Sequence, residues 1–269
     1  MRKISDYGEV KGKLASSKGS ISNCYWMPED VIRMIGAGQL YEVSATDGFA
    51  WIQQNNARNQ FFYQTSQGKA DSYKCSLPKG MNCVAEIIHL TVPSQRLEAE
   101  RQILNRLGFQ FTDLARMMVK KPEDLNFSTS DNHRIRQANR VDYDIIHMLF
   151  TDAFDELTDA IPVEEELCQY LSNGEIWVNE EITSQKILGC ALFEPSGKRT
   201  WIRHVTVEKS MRGKGVAKEL LQMYISQRAQ DTEYSLWVKD TNEAAVSLYR
   251  KIGFEETKRQ MDIWTITAQ

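Results

Sequence analysis

Apolar and polar positions repeat with two clear periods in the second half of the chain. Alternating runs rich in branched and aromatic residues predict strands at Arg134–Gln137, Glu175–Asn179, Ile187–Phe193, Trp201–Val207, Tyr234–Val238 and Met261–Ile266. Apolar residues three and four apart predict helices at Val141–Phe154, Val163–Leu171, Gly215–Ala229 and Asn242–Ile252. In the third of these, Val216, Leu220, Met223 and Tyr224 form the stripe. Strands and helices alternating in this order predict an α/β domain, a central mixed sheet covered by helices.

The first half is patterned less regularly. Glu29–Ile35 reads as a short helix, and Ala50–Gln53, Phe61–Gln64 and Val84–Val92 read as strands. A helix over Ser94–Leu107 should end at Gly108, because a residue without Cβ accepts the left-handed cap. The polar stretch Lys120–Asn132, with Pro122 and no periodicity, is the expected linker. It divides the chain near Leu125 into an N-terminal α/β domain, 1–125, and a second domain, 126–269. Ile103–Phe109 (ILNRLGF) resembles Ser247–Phe254 (SLYRKIGF), with Leu104 standing where Tyr249 stands. Two explanations are open: a duplicated domain whose first copy has decayed, or two amphipathic helices that share a glycine cap.

Composition narrows the class. A chain of 269 residues favours two domains of about 100 to 150 residues each. Hydrophobic residues make up 42% and charged residues 26%, as in soluble globular proteins. The net charge of −3 lacks the basic excess needed to neutralise many phosphates, so nucleic acid is not an expected partner. Five cysteines, none at CxxC spacing, point to neither a zinc site nor a paired disulfide framework. The basic opening has no apolar run behind it, and no stretch is long and apolar enough to span a bilayer. A cytoplasmic protein without membrane association is expected.

The informative stretch is Val205–Leu221, VTVEKSMRGKGVAKELL, which joins a strand end to a helix start through RGKGVA. The first amides of a helix have no internal acceptor, and the peptide dipoles place partial positive charge there, so a phosphate can be held by several hydrogen bonds. Gly213 and Gly215 let the backbone approach closely, while Arg212 and Lys214 add full charges. Each dipole contribution is only about 0.3 to 1 kcal/mol, so several amides must act together. GxxxxGK followed by Ser or Thr is absent, as is GxGxxG after the first strand, which disfavours a nucleotide triphosphatase. The plain alternative is a basic turn opening a surface helix. Downstream, Asn242 and Tyr249 lie seven apart in WVKDTNEAAVSLYRKIGF and share one helical stripe.

With Arg212, Gly215 and Ala217 at a strand-to-helix junction and Asn242, Ala245 and Tyr249 on the next helix, residues 134–266 resemble the GNAT superfamily of N-acetyltransferases. The resemblance implies a GNAT-like acyl-CoA N-acyltransferase fold, in two tandem domains if the repeat is real, with a non-catalytic first copy. It implies that the amides of Gly213, Lys214, Gly215, Val216 and Ala217, with Arg212, hold the diphosphate of acetyl-CoA. It implies further that Val205 and Val207 pair with the pantetheine arm, and that Asn242 belongs to the cofactor site. The reaction would move an acetyl group to a primary amine of a small molecule or peptide, in a monomer or homodimer. A non-catalytic acyl-CoA sensor or assembly module is the alternative.

Such a transfer needs a neutral amine, a polarised carbonyl and a proton for the departing thiolate. An ammonium of pKa about 10.4 is neutral about once in 2,500 molecules at pH 7, a deficit of roughly 4.6 kcal/mol that a base must meet. His204 is the titratable group of suitable pKa nearest the expected thioester, with Glu208 as the other candidate. Because strands alternate faces, His204 is also readable as a structural histidine turned away from Val205 and Val207. A phenol of pKa about 10 gives its proton to a thiolate of pKa about 8.5 at a cost of only about 2 kcal/mol, which makes Tyr249 a feasible acid. The amide of Val207 would polarise the carbonyl. The acidic stretch Thr151–Leu167 reads either as an attractor of cationic amines or as a solvated surface.

Overall fold

The computed structural model describes residues 1–15, 20–55, 58–121, 131–228 and 233–267. In chain order the first elements are β1 (Arg2–Lys3), α1 (Tyr7–Ala15), β2 (Ser20–Ser22), α2 (Pro28–Gly36), β3 (Leu40–Val43), β4 (Ala45–Thr46) and β5 (Gly48–Asn55). Then come β6 (Arg58–Ser66), β7 (Lys74–Cys75), β8 (Cys83–Leu90), α3 (Gln95–Arg106) and β9 (Gln110–Lys120). The remainder is β10 (His133–Gln137), α4 (Tyr143–Ala153), α5 (Glu164–Ser172), β11 (Ile176–Glu181), β12 (Ile187–Ser196), β13 (Arg199–Val207), α6 (Val216–Ser226), β14 (Glu233–Lys239), α7 (Glu243–Lys251) and β15 (Glu255–Ile266).

Two compact units result. The first comprises Met1–Leu114, Glu156–Ala160 and Arg259–Gln269; the second comprises Ala115–Asp155 and Ile161–Lys258. Unit membership follows strand pairing rather than chain order. Arg259–Ile266 of β15 pairs antiparallel with β8 in the first unit, and Ala115–Lys120 of β9 pairs antiparallel with β14 in the second. The boundary expected near Leu125 lies outside the described residues.

Each unit has the same strand plan. The first runs β1-β3-β5-β6-β8-β15 and the second β10-β11-β12-β13-β14-β9. In both, the step from the fourth strand to the fifth is the parallel one, β6 to β8 and β13 to β14. The helices after the fifth strands end alike. Gly108 and Gly253 take φ of +91° and +94°. Phe109 donates its amide to Leu104 O and Phe254 to Tyr249 O, each at 3.0 Å. The units differ after the fourth strand. α6 follows β13, whereas residues 67–82 of the first unit contain only a 3-10 turn (Gln67–Lys69) and β7.

In the second unit β11 and β12 are buried on both faces. α6 packs on β11, β12 and β13, and α4 packs on β12 and β13 from the other side. The α6 core holds Leu220, Leu221, Tyr224 and Tyr249, with Phe193 stacked on Tyr224 at 3.5 Å between ring centroids. The α4 core holds Ile146, Leu149, Phe150 and Leu167. At about 1.5 to 3 kcal/mol per buried large side chain, these two layers fix the helices on the sheet. Among the described residues no helix is long and apolar enough to cross a membrane.

Candidate active site

The RGKGVA junction forms an open cradle at the start of α6. Gly213 and Gly215 have φ of +78° and +89°, conformations that L side chains rarely adopt. A Cβ built on either would meet nothing within 4 Å beyond its own chain neighbours, so no other part of the protein crowds the turn. Arg212, Gly213, Lys214 and Gly215 are all exposed. Gly215 is the N-cap and supplies no side-chain cap, and the first intrahelical bond runs from Glu219 N to Gly215 O at 3.0 Å. Among the described residues the amides of Gly213, Gly215, Val216, Ala217 and Lys218 therefore have no acceptor. Lys214 N is engaged, donating to Met211 O at 3.4 Å. Arg212 Nε donates to Val207 O at 3.2 Å, tying this cation to the end of β13.

Gly189 on β12 sets the depth of the cradle. A Cβ there would lie 2.8 Å from Thr206 O and 3.2 Å from Val216 Cγ1. Only glycine lets the buried Val216 seat the first turn of α6 against the sheet. The sequence reading passed over this residue, although an isolated glycine within the apolar run ILGCALF marks a close approach. Beneath the same turn, Glu219 accepts from His133 Nδ1 at 2.8 Å and Asn179 Nδ2 at 3.1 Å, a tie that sequence spacing does not reveal.

β13 and β14 diverge beside the cradle. Their parallel ladder runs only through Arg199↔Glu233, Thr200↔Tyr234 and Trp201↔Ser235. From Ile202 to Val207 the edge of β13 that faces β14 has no described strand partner, while its other edge stays paired with β12. Val205 and Val207, the residues expected to pair with a pantetheine arm, lie on this stretch.

The register shift opposite Arg203, where Leu192 pairs with His204 and Phe193 with Ile202, changes which residues share a face. Ile202 and Val205 both pack on the α6 core. His204 is buried on the α4 side, its ring 5.3 Å from Phe150 and 4.8 Å from Phe154. The structure thus groups Tyr249 and Val205 and sets His204 apart from them. Tyr249 is buried on α7, with its ring 5.6 Å from Phe254, and burial pushes its phenol well above the usual range. Asn242 caps α7, its Oδ1 accepting from Ala245 N at 3.1 Å.

Glu208 makes a poor base. Ser210 Oγ at 2.5 Å and Lys186 Nζ at 3.2 Å hold its carboxylate below the ordinary range, so it stays ionised and weakly basic. Of the acidic stretch, Glu156–Ala160 clusters with the first unit and the flanking residues with the second. Among the described residues no group of three His, Cys, Asp or Glu side chains converges as a metal site. A cavity of about 460 Å³ lies in the first unit, lined by Met1, Arg2, Glu42, Ser44 and Phe49. It shares no element with the cradle, and Arg2 is committed there to Glu9 and Glu42.

Residues 143–254 match the family model described as Acetyltransferase (GNAT) family. No curated protein matches the chain. Solved structures share the fold across nearly the whole length at low identity. A GCN5-related N-acetyltransferase from Sphaerobacter thermophilus is 15% identical with a TM-score of 0.61, over 91% of this chain and 87% of that one. A GCN5-related N-acetyltransferase from Kribbella flavida is 12% identical with a TM-score of 0.53, over 88% and 92%. A tandem GNAT protein from the clavulanic acid biosynthesis pathway is 10% identical with a TM-score of 0.50, over 88% of each chain. The open glycine turn and the end of β13 where the strands splay thus lie inside the segment, residues 143–254, that matches the GNAT acetyltransferase family.

Proposed function

We propose that the second unit transfers an acetyl group from acetyl-CoA to a primary amine of a small molecule or peptide. The observation that carries this reading is the row of acceptor-free amides from Gly215 to Lys218, adjoining the open edge of β13. A diphosphate satisfies the first, an extended amide-bearing arm satisfies the second, and acetyl-CoA has both chemistries on one molecule. Arg212 and Lys214 add charge at the phosphate end, and the Asn242 cap fixes the start of the helix that carries Tyr249.

In the reaction, the amine nitrogen forms a bond to the thioester carbon as the C–S bond breaks. The Val207 amide is assigned to the carbonyl oxygen, and Tyr249 gives its proton to the leaving sulfur. Burial makes this phenol a weaker acid than a free one, so the cost of about 2 kcal/mol for bare groups is not its cost here. The same apolar surroundings raise the basicity of a buried thiolate, which offsets part of the difference. His204 is assigned the amine proton from the α4 face. This assignment requires the base on one face of the sheet and the acid on the other to reach the same bond through the splay beside β13. The five unpaired cysteines suit a reducing, cytoplasmic setting.

The test is release of free thiol from acetyl-CoA across a panel of amines. Release that depends on amine and falls about 10²- to 10⁴-fold in Tyr249→Phe, with CoA affinity retained, supports transfer. Tight CoA binding with no amine-dependent release across the panel would instead make the unit a non-catalytic acyl-CoA sensor.

A further inference from the structure

The first unit repeats the divergence seen between β13 and β14, but there the gap is filled. β6 and β8 pair only at Gln60↔Val84, after which the β8-facing edge of β6 would be as open as that of β13. The chain's own β2 covers it, pairing antiparallel through Ser20↔Ser66, Ile21↔Thr65 and Ser22↔Gln64. Beyond β2 the side chain of Asn23 continues the ladder as a pseudo-peptide. Its Nδ2 donates to Phe61 O at 3.0 Å and its Oδ1 accepts from Tyr63 N at 2.8 Å. Ser22 Oγ donates to Tyr63 O at 2.8 Å. On the opposite wall, Tyr25 OH donates to Ile88 O at 3.0 Å and accepts from Ile88 N at 3.1 Å.

The helix beyond this gap is committed as well. On α3, Arg96 donates from Nη2 to Ser22 O at 3.2 Å and from Nε to the buried Glu100 at 3.1 Å. Burial raises the pKa of Glu100, against the opposing pull of Arg96. Leu104 occupies the place that Tyr249 holds on α7. Among the described residues between β6 and β8 there is no α-helix whose first turn could hold a diphosphate, only the 3-10 turn at Gln67–Lys69.

Resting on the assignment of acetyl-CoA to the second unit, we propose that Ser20–Tyr25 is a built-in substitute for a cofactor arm. The first unit is then a copy of the fold that binds no acyl-CoA, and the whole chain takes one cofactor molecule. Filling the gap with covalently attached chain satisfies Phe61, Tyr63 and Ile88 without a ligand, so this unit needs none to complete its backbone hydrogen bonds.

Two measurements on the full-length chain test this. In calorimetry with acetyl-CoA, one site per chain is expected, and Arg212→Glu should weaken it at least about tenfold and leave no second heat. Two sites, or a site that survives Arg212→Glu unchanged, would overturn the proposal. No heat at all would instead overturn the assignment to the second unit. Hydrogen exchange of the cofactor-free wild type decides the plug itself: the amides of Tyr63 and Ile88 should be protected. Asn23→Ala should speed exchange at Tyr63 by about tenfold or more, and Tyr25→Phe should do so at Ile88. Rapid exchange at both positions in the wild type would show that Ser20–Tyr25 does not occupy the gap.

Discussion

Replacing Ala217 with proline removes one hydrogen-bond donor from the cradle and little else. Ala217 is the second residue of α6, and its amide has no acceptor within the chain, so no helical bond is lost. Proline is tolerated in the first turn for this reason, although its ring steers Val216 away from helical geometry and a small loss of Tm is expected. A hydrogen bond to a charged group contributes about 1.5 to 3 kcal/mol, which predicts acetyl-CoA binding about 10- to 150-fold weaker by calorimetry. The control is acetyl-pantetheine, which has the thioester and the arm but no diphosphate. Its kcat/KM should be unchanged in Ala217→Pro. An unaltered acetyl-CoA affinity in a folded variant, or an equal loss with both donors, would refute the cradle.

Gly189→Ala places a Cβ 2.8 Å from Thr206 O, and overpacking of this kind costs about 1 to 3 kcal/mol, readable in urea denaturation. The same variant should weaken acetyl-CoA binding, because Val216 and the first turn of α6 must move; wild-type stability would count against the close approach. Arg136 grips Asp142 at 2.8 and 3.0 Å, and with the Asn139 amide it holds the Asp142 carboxyl below the ordinary range. A depressed folded pKa means stability that is present above the unfolded value of about 3.9 and is lost as pH falls through the folded one. Asp142→Asn should therefore lower stability at pH 7 by about 1 to 2 kcal/mol and flatten its decline in acid, measured as Tm against pH. Since burial raises the Tyr249 pKa, the phenol keeps its proton as pH rises, so kcat should show no descending limb up to about pH 10. A limb near pH 9 that vanishes in Tyr249→Phe would contradict this.

Where burial imposes a period, the sequence is legible. α6 and α7 are amphipathic, and Leu220, Met223 and Tyr224 face one core as their spacing predicts. The cap at Gly108 and the turn at Gly213 and Gly215 are legible for another reason: local steric demands select glycine wherever φ is positive. β9 is not legible, because QFTDLARMMVK has few branched residues and no alternation. It is a strand because Tyr234–Lys239 offers it a ladder, a partner more than a hundred residues away. α1 escapes for the opposite reason. Only Val10 of YGEVKGKLA is buried, which leaves no stripe to detect. Around His204 the period is legible on one side only. Alternation turns His204 away from Val205, as the structure has it, whereas Ile202 joins Val205 on the α6 core through the register shift opposite Arg203, a pairing feature with no local sequence mark.

The two units make the same backbone problem visible twice. Wherever a parallel pair of strands diverges, each strand keeps a row of amides and carbonyls that must be bonded by something. In the first unit the answer is written into the chain: β2, Asn23 and Tyr25 bond the edges of β6 and β8, and the cost is that no ligand can enter. In the second unit the β14-facing edge of β13 beyond Trp201 has no strand partner among the described residues, Arg212 reaches only its end at Val207 O, and the first turn of α6 follows through Gly213 and Gly215. The contrast between an edge covered by the chain itself in the first unit and an uncovered one beside Arg212 in the second supports the proposal that the second unit is the one that takes the cofactor.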